Sequence, residues 1–249
     1  TVRKQSAKFL ELHGAYEEFI DVMRYMADCV VVLQHEVLDR VSLRELRILK
    51  YRGSMFYENA FPMIIGAEGM DVSIYSQEEP AAPASSERIS SGNESLDALL
   101  GGGYFRGTGT LITGAPGVGK TSLAAHFAAA ACRRGEKTIY ITFDQTAGAL
   151  MRNLASIGIR LKPHVDAGTL VIYTASSTMQ RAEEHMIRIK AMMRRHQARC
   201  LIIDPLSAPV QLVGLISGLS VADQILHYAG LTGATTVFTG VAMENDPFK

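Results

Sequence analysis

The 249-residue sequence contains no tryptophan, only three cysteines and no surplus of either charge: 25 lysines and arginines face 25 aspartates and glutamates. That balance removes the overall field by which nucleic-acid and anionic-membrane proteins attract their partners. Cys29, Cys132 and Cys200 lie far apart, each in an apolar run, which predicts reduced, buried thiols and argues against a disulfide framework or a zinc site. The seven histidines show no metal-ligand spacing. No apolar stretch approaches the roughly 18 residues that span a bilayer, and no signal-peptide pattern is visible. The expectation is a soluble, cytoplasmic protein. With 47% hydrophobic and 20% charged residues, the chain can still bury a sizeable core, as one large domain or somewhat more.

Residues 1 to about 27 alternate charged and apolar side chains at helical spacing, which predicts core faces through Phe9, Leu10 and Leu12, then Phe19, Ile20, Met23 and Met26. From Ala27 the pattern changes to strands at 29–33, 43–50, 61–65 and 70–75, with no helix between them, so antiparallel hairpins are expected. Residues 77–87 (QEEPAAPASSE) hold no large apolar side chain and read as a linker. Beyond it, strands and helices alternate: strands at 109–113, 137–143, 169–173, 200–204 and 235–239, helices at 122–132, 146–156, 179–197 and 220–230. Such alternation predicts an α/β fold, a mostly parallel sheet covered by helices, with the antiparallel strands of the N-terminal segment added to it. The stripe Ala182, Met186, Ile189 and Met193 is expected in the core.

The chemistry lies in Gly114-Ala115-Pro116-Gly117-Val118-Gly119-Lys120-Thr121, of the form G-x-x-x-x-G-K-[ST], set between a predicted strand and a predicted helix. Gly114, Gly117, Val118 and Gly119 would turn backbone N–H groups inward around a phosphate at the positive end of the helix dipole, with Ser122 in the first helical turn. Lys120 would neutralise the β- and γ-phosphates of ATP, and Thr121 would offer its hydroxyl to Mg²⁺. Cys200-Leu201-Ile202-Ile203-Asp204 reads as a buried strand delivering the Asp204 carboxylate to the same metal at the strands' carboxyl ends. Asp144, after the apolar run 139–143 and beside Gln145, is the candidate to orient or deprotonate the attacking nucleophile.

Arg88-Ile89-Ser90-Ser91-Gly92, Leu96-Asp97, Gly101-Gly102-Gly103-Tyr104-Phe105, the phosphate loop, Phe143-Asp144-Gln145 and Leu201 to Ala208 together resemble the KaiC family of RecA-like ATPases. Ala27-Asp28, Leu49 to Ser54, Pro62 to Ile65 and Gly69 resemble the closing strands of a KaiC repeat. The resemblance implies that 1–76 is the C-terminal part of one repeat, 77–87 a linker, and 88–249 a RecA-like ATPase domain lacking its C-terminal part. It also implies a homo-oligomeric ring, usually hexameric, with Mg-ATP between subunits, and slow hydrolysis. In the clock proteins it implies serine/threonine autophosphorylation and regulatory protein partners as well. Lys50 and Arg52, two apart on one strand face, match a Lys-x-Arg pair that reaches the γ-phosphate held by the next subunit.

Two departures from the family stand out. Gln145 replaces the second of two adjacent carboxylates, and Arg24 and Tyr25 stand where a phosphorylated repeat carries its Ser/Thr pair. The matching region of the second repeat would lie beyond Lys249. Two other readings share the motif set: a RecA/RadA-like ATPase stimulated by DNA, and a scaffold that senses ATP without hydrolysing it. Neutral charge and the lack of a basic, aromatic-bearing loop disfavour nucleic acid as a partner. Gln145 keeps the scaffold reading open.

Overall fold

The computed structural model describes residues 20–38, 41–66, 69–72, 85–175, 182–206 and 215–241, and the chain divides into two compact units, one ending at Val72 and the other holding everything from Ser73 on. In the first unit, residues 20–26 are helical (α1). Four strands follow, β1 (Cys29–Leu38), β2 (Val41–Tyr51), β3 (Ala60–Gly66) and β4 (Gly69–Val72), which neighbour one another in that order. The β2–β3 and β3–β4 pairs are antiparallel, as the unbroken run of strand patterns predicts. Phe61 and Met63 are buried. Met23 and Met26, expected in a core, are instead exposed, and so is Cys29. Helical periodicity identifies an apolar face but not whether anything covers it. The expectations for Phe9, Leu10, Leu12 and Phe19, and for the linker up to residue 84, fall outside the described residues.

The second unit opens with β5 (Arg88–Ile89), α2 (Glu94–Leu99) and β6 (Tyr104–Phe105), β5 and β6 forming a small antiparallel pair. These short elements escape periodicity analysis because glycines shape them. A Cβ at Gly92 (φ 86°) would lie 2.2 Å from the His126 carbonyl oxygen, and one at Gly103 (φ 104°) 2.2 Å from that of Ile89. Close backbone approach therefore requires glycine at both positions. Next come β7 (Gly109–Gly114), α3 (Lys120–Arg133), β8 (Thr138–Thr142), α4 (Ala147–Ser156), α5 (Lys162–Asp166) and β9 (Leu170–Thr174). The last elements are α6 (Ala182–His196), β10 (Cys200–Asp204), α7 (Leu215–Thr232) and β11 (Thr235–Val241).

Strands β7 to β11 form one sheet in the order β7-β11-β10-β8-β9, and every neighbouring pair is parallel. Strands β8 and β10 are buried along their whole length, as a parallel sheet covered on both faces demands. Alternation divides their side chains. Tyr140, Cys200, Ile202 and Val237 pack with α3, whereas Ile139, Ile141, Leu201, Ile203 and Phe238 pack with Met186, Ile189 and Met193 of α6 and Ile225 and Ala229 of α7. The methionine stripe is thus core, as its spacing predicts. This is the α/β architecture of a RecA-like domain.

At the strands' amino ends an ion-pair network ties β5, β6, α3 and β10 together. Arg106 grips Glu87 through Nε at 2.6 Å and reaches Glu136 at 2.7 Å, while Arg134 holds the other Glu136 oxygen at 2.9 Å and the Cys200 thiol donates to it at 3.3 Å. Burial alone would raise the Glu136 carboxyl, but hydrogen bonds from Arg134 and Arg106 overcome it and hold the group below its ordinary range. Burial, and then the charge of Glu136, push the Cys200 thiol far up, so it stays protonated.

Phe127 of α3 is fully buried, with the Tyr104 ring edge-on at 5.5 Å. Phe127→Ala is expected to destabilise the second unit by about 3–5 kcal/mol, read as a lowered urea midpoint by circular dichroism. A loss under about 1 kcal/mol would mean that the surrounding alanines collapse into the space.

Candidate functional site

Strand β7 ends at Gly114 and α3 begins at Lys120, so the intervening loop turns at the carboxyl edge of the sheet. Gly117 and Gly119 have φ values of 83° and 95°, left-handed conformations that favour glycine. Gly119 caps α3 without a side-chain hydrogen bond, and no acidic residue enters the first turn. The helix therefore opens with backbone N–H groups that its own side chains leave unfilled, at the positive end of its dipole. Lys120 arches over the loop, its Nζ donating to the carbonyls of Gly114 at 2.8 Å and Ala115 at 2.7 Å. Thr121 and Ser122 are half-buried in the first turn, and Val118 stands exposed on the loop.

Asp204 closes β10, which is separated from β7 by β11. Its position follows from register: Asp204 pairs with Thr142 on β8, and Ile203 with Phe238 on β11. Side chains at alternate positions share a face, which puts Asp204, Thr239 and Tyr140 together on the α3 side. The Tyr140 hydroxyl donates to Asp204 Oδ2 at 2.7 Å, and the Thr239 hydroxyl donates to Oδ1. Asp204 is only 5% exposed, and Tyr140 and Thr239 are fully buried. Burial, followed by the charge and hydrogen bond of Asp204, pushes the Tyr140 phenol well above its ordinary value, so the phenol keeps its proton and acts as donor. Sequence reasoning missed both hydroxyl residues, since Tyr and Thr are common strand formers. Other threonines stand in the same two strands, TIYIT and TTVFTGV, so no signal in the sequence singled out these hydroxyls.

Asp144 follows β8 and is largely exposed. Burial, then the charge of Asp204, raises its carboxyl above the ordinary aspartate value, so the two acids are electrostatically close. Gln145 is turned to other work. Its Oε1 accepts from Asn153 of α4 at 3.1 Å, and its carbonyl accepts from the Thr142 hydroxyl at 3.3 Å. Thr146 then caps α4 by accepting from the Ala149 N–H. These bonds fix the turn that presents Asp144.

The structure thus brings the phosphate loop, Asp204 and Asp144 to the carboxyl edge of one sheet. Lys50 and Arg52 belong to the other unit. Arg52 lies in the turn just past the end of β2 and not on the strand with Lys50, yet the two converge on the carboxyl end of α1: Lys50 Nζ donates to the Tyr25 carbonyl at 2.7 Å and Arg52 Nη2 to the same oxygen at 2.9 Å. Arg52 also pairs with Asp28 at 3.4 Å. No helix among the described residues is long and apolar enough to cross a membrane.

A family model described as "ATPase: KaiC" matches residues 9–79 and 89–240. The chain is 36% identical over 184 residues to the circadian clock protein KaiC2 of Synechocystis sp., covering 74% of this chain and 32% of that protein. It is 31% identical over 228 residues to the circadian clock oscillator protein KaiC of Parathermosynechococcus lividus, covering 88% and 42% respectively. With the KaiC of a Prochlorococcus marinus strain the identity is 32% over 223 residues, 90% of this chain and 44% of that protein. The chain therefore spans less than half the length of these relatives.

The raised Asp144 carboxyl carries a defined sign. A group whose folded value exceeds its unfolded value, about 3.9 for aspartate, contributes stability below the unfolded value and loses it as pH rises through the folded one. Asp144→Asn is therefore expected to raise the urea midpoint slightly at pH 7, relative to wild type, and to leave it unchanged near pH 3. An equal change at both pH values would show that neither burial nor the charge of Asp204 raises this carboxyl.

Proposed function

Because the chain belongs to the KaiC family of ATPases, we propose that it binds Mg-ATP at the Gly114–Thr121 loop and hydrolyses it slowly, as part of a cytoplasmic ring of like subunits. The carrying observation is the convergence of an anion-receptive helix start, a buried carboxylate at Asp204 and a second carboxylate at Asp144 on one sheet edge. The residues suit both ligands. A glycine loop with an uncapped helix start accepts phosphate oxygens, and one hydroxyl (Thr121) with one carboxylate (Asp204) suits Mg²⁺, which keeps several waters and leans on few protein ligands.

Lys120 exchanges the carbonyls of Gly114 and Ala115 for phosphate oxygens, a charge-assisted bond stronger than the neutral ones it gives up. Mg²⁺, when bound, neutralises charge on the β- and γ-phosphates. Asp144 takes the proton of the attacking water, or orients that water, and its raised carboxyl makes it a better proton acceptor than an ordinary aspartate. Turnover should accordingly fall as pH drops through the raised value. Gln145, bound to Asn153, offers no second carboxylate, which fits slow turnover. Serine/threonine autophosphorylation would use the same loop with a hydroxyl in place of water, but Arg24 and Tyr25 provide no acceptor pair in the first unit.

Two separate matches to one family model, either side of residues 80–88, support the reading of the chain as the end of one repeat, a linker and the start of a second. Lys50 and Arg52 are then proposed to reach a γ-phosphate held by a neighbouring subunit, giving up the Tyr25 carbonyl for a charged acceptor.

Lys120→Ala is expected to weaken ATP binding about tenfold or more, the loss of one charge-assisted contact, measured by calorimetry. Asp144→Asn should bind ATP near wild-type affinity yet turn over about 10²-fold more slowly, measured by phosphate release. Unchanged binding in the first variant would remove the phosphate-loop assignment. Normal turnover in the second would move the base elsewhere. Binding without any turnover in the wild type would favour the nucleotide-sensing scaffold.

A further inference from the structure

Asp204 poses a problem that the Mg²⁺ reading alone does not solve. An aspartate carboxylate turns readily about its last bond, since that torsion is broad and roughly two-fold, and a nearly buried one needs hydrogen bonds to offset the loss of water. Both needs are met by the same two hydroxyls. Tyr140 on β8 donates to one oxygen at 2.7 Å and Thr239 on β11 donates to the other. The donors come from the strands on opposite sides of β10, so the carboxylate cannot rotate without breaking both bonds.

Tyr140 reaches Asp204 diagonally. The residue directly beside it in register is Ile202, and Asp204 lies two positions further along the same face. A long side chain with a terminal hydroxyl is required to span that offset, whereas Thr239 is short and sits beside Asp204, one step past the Ile203–Phe238 pair. The phenol is fully buried and makes no other hydrogen bond among the described residues. Ring packing alone would be satisfied by phenylalanine in the same space.

We propose that Tyr140 is a positioning residue that, together with Thr239, locks the Asp204 carboxylate in the orientation from which it serves the nucleotide-bound Mg²⁺. This deepens the reading of Asp204 given above and rests on it. The geometry separates two quantities that a purely structural role would change together: affinity for nucleotide alone and the additional affinity conferred by the metal.

The test is calorimetric titration of the 249-residue chain with a non-hydrolysable ATP analogue, in EDTA and in excess Mg²⁺. In the wild type, Mg²⁺ tightens binding. In Tyr140→Phe, affinity in EDTA is expected to stay within about twofold, and the tightening by Mg²⁺ to fall about tenfold, as loss of one hydrogen bond to a charged group implies. Thr239→Val should lose the tightening in the same way, and Thr239→Ser, which keeps the hydroxyl, should retain most of it. Because both donors act on one carboxylate, the double variant should lose less than the product of the single losses. Normal tightening in Tyr140→Phe, or equal losses in EDTA and Mg²⁺, would overturn the positioning role while leaving Asp204 as the metal residue. No Mg²⁺ effect in the wild type would overturn the reading of Asp204, and this proposal with it. Should Tyr140→Phe fail to fold, the contrast between Thr239→Val and Thr239→Ser decides the same question, since equal Mg²⁺ tightening in those two would refute the lock.

Discussion

The functional end of the second unit depends on the parallel register of β10 between β8 and β11. Cys200 to Asp204 pair step by step with Thr138 to Thr142 on one side, and Cys200 to Ile203 with Thr235 to Phe238 on the other. That pairing sets the depth at which Asp204 emerges and the faces on which Tyr140 and Thr239 meet it. A slip of one residue would turn Asp204 toward α6 and α7, away from the helix that starts beside the phosphate loop. It would also leave a buried carboxylate without donors. The register is held by apolar side chains on both faces, so the packing of Ile139, Ile141, Leu201 and Ile203 on one and of Cys200 and Ile202 on the other is what gives the acid its address.

Charge is distributed unevenly along the sheet although the chain as a whole is neutral. The carboxyl edge gathers Asp144 and Asp204, and burial, followed by the charge of Asp204, raises the Asp144 carboxyl. The amino edge gathers Arg106 and Arg134 around Glu136 and Glu87. The amino-edge acids are paired and hydrogen-bonded, so their ionisation is favoured. At the carboxyl edge the protein places an acid whose ionisation it disfavours, an arrangement characteristic of sites that bind cations or accept protons.

Much of this was legible in the sequence because the informative elements are long or chemically specific. The phosphate loop announces itself through glycine spacing, and the β–α alternation after residue 109 predicts the sheet and its covering helices. The short elements α2, α5, β5 and β6 were not legible, because turn glycines such as Gly92 and Gly103 build them and two-residue strands have no period. Asp204 could be read from an apolar run ending in an acid, but its partners could not. Finding Tyr140 requires knowing that residue 140 lies beside residue 202, a pairing between strands far apart in the chain. Met23, Met26 and Cys29 were misread for a related reason, since an apolar pattern does not reveal whether its covering surface is at hand.

The strand order also sets a timetable for biosynthesis. Strand β7, which leads directly into the phosphate loop, stands at one edge of the sheet among the described residues, and its neighbour there is β11, which begins at Thr235. Strands β8, β9 and β10 can pair among themselves as they leave the ribosome, but β7 stays without its partner until the last described strand has been made. At about 5–20 residues per second, the wait lasts seconds, long compared with local helix formation. Throughout that interval the nascent chain displays an unpaired strand edge beside a glycine-rich loop.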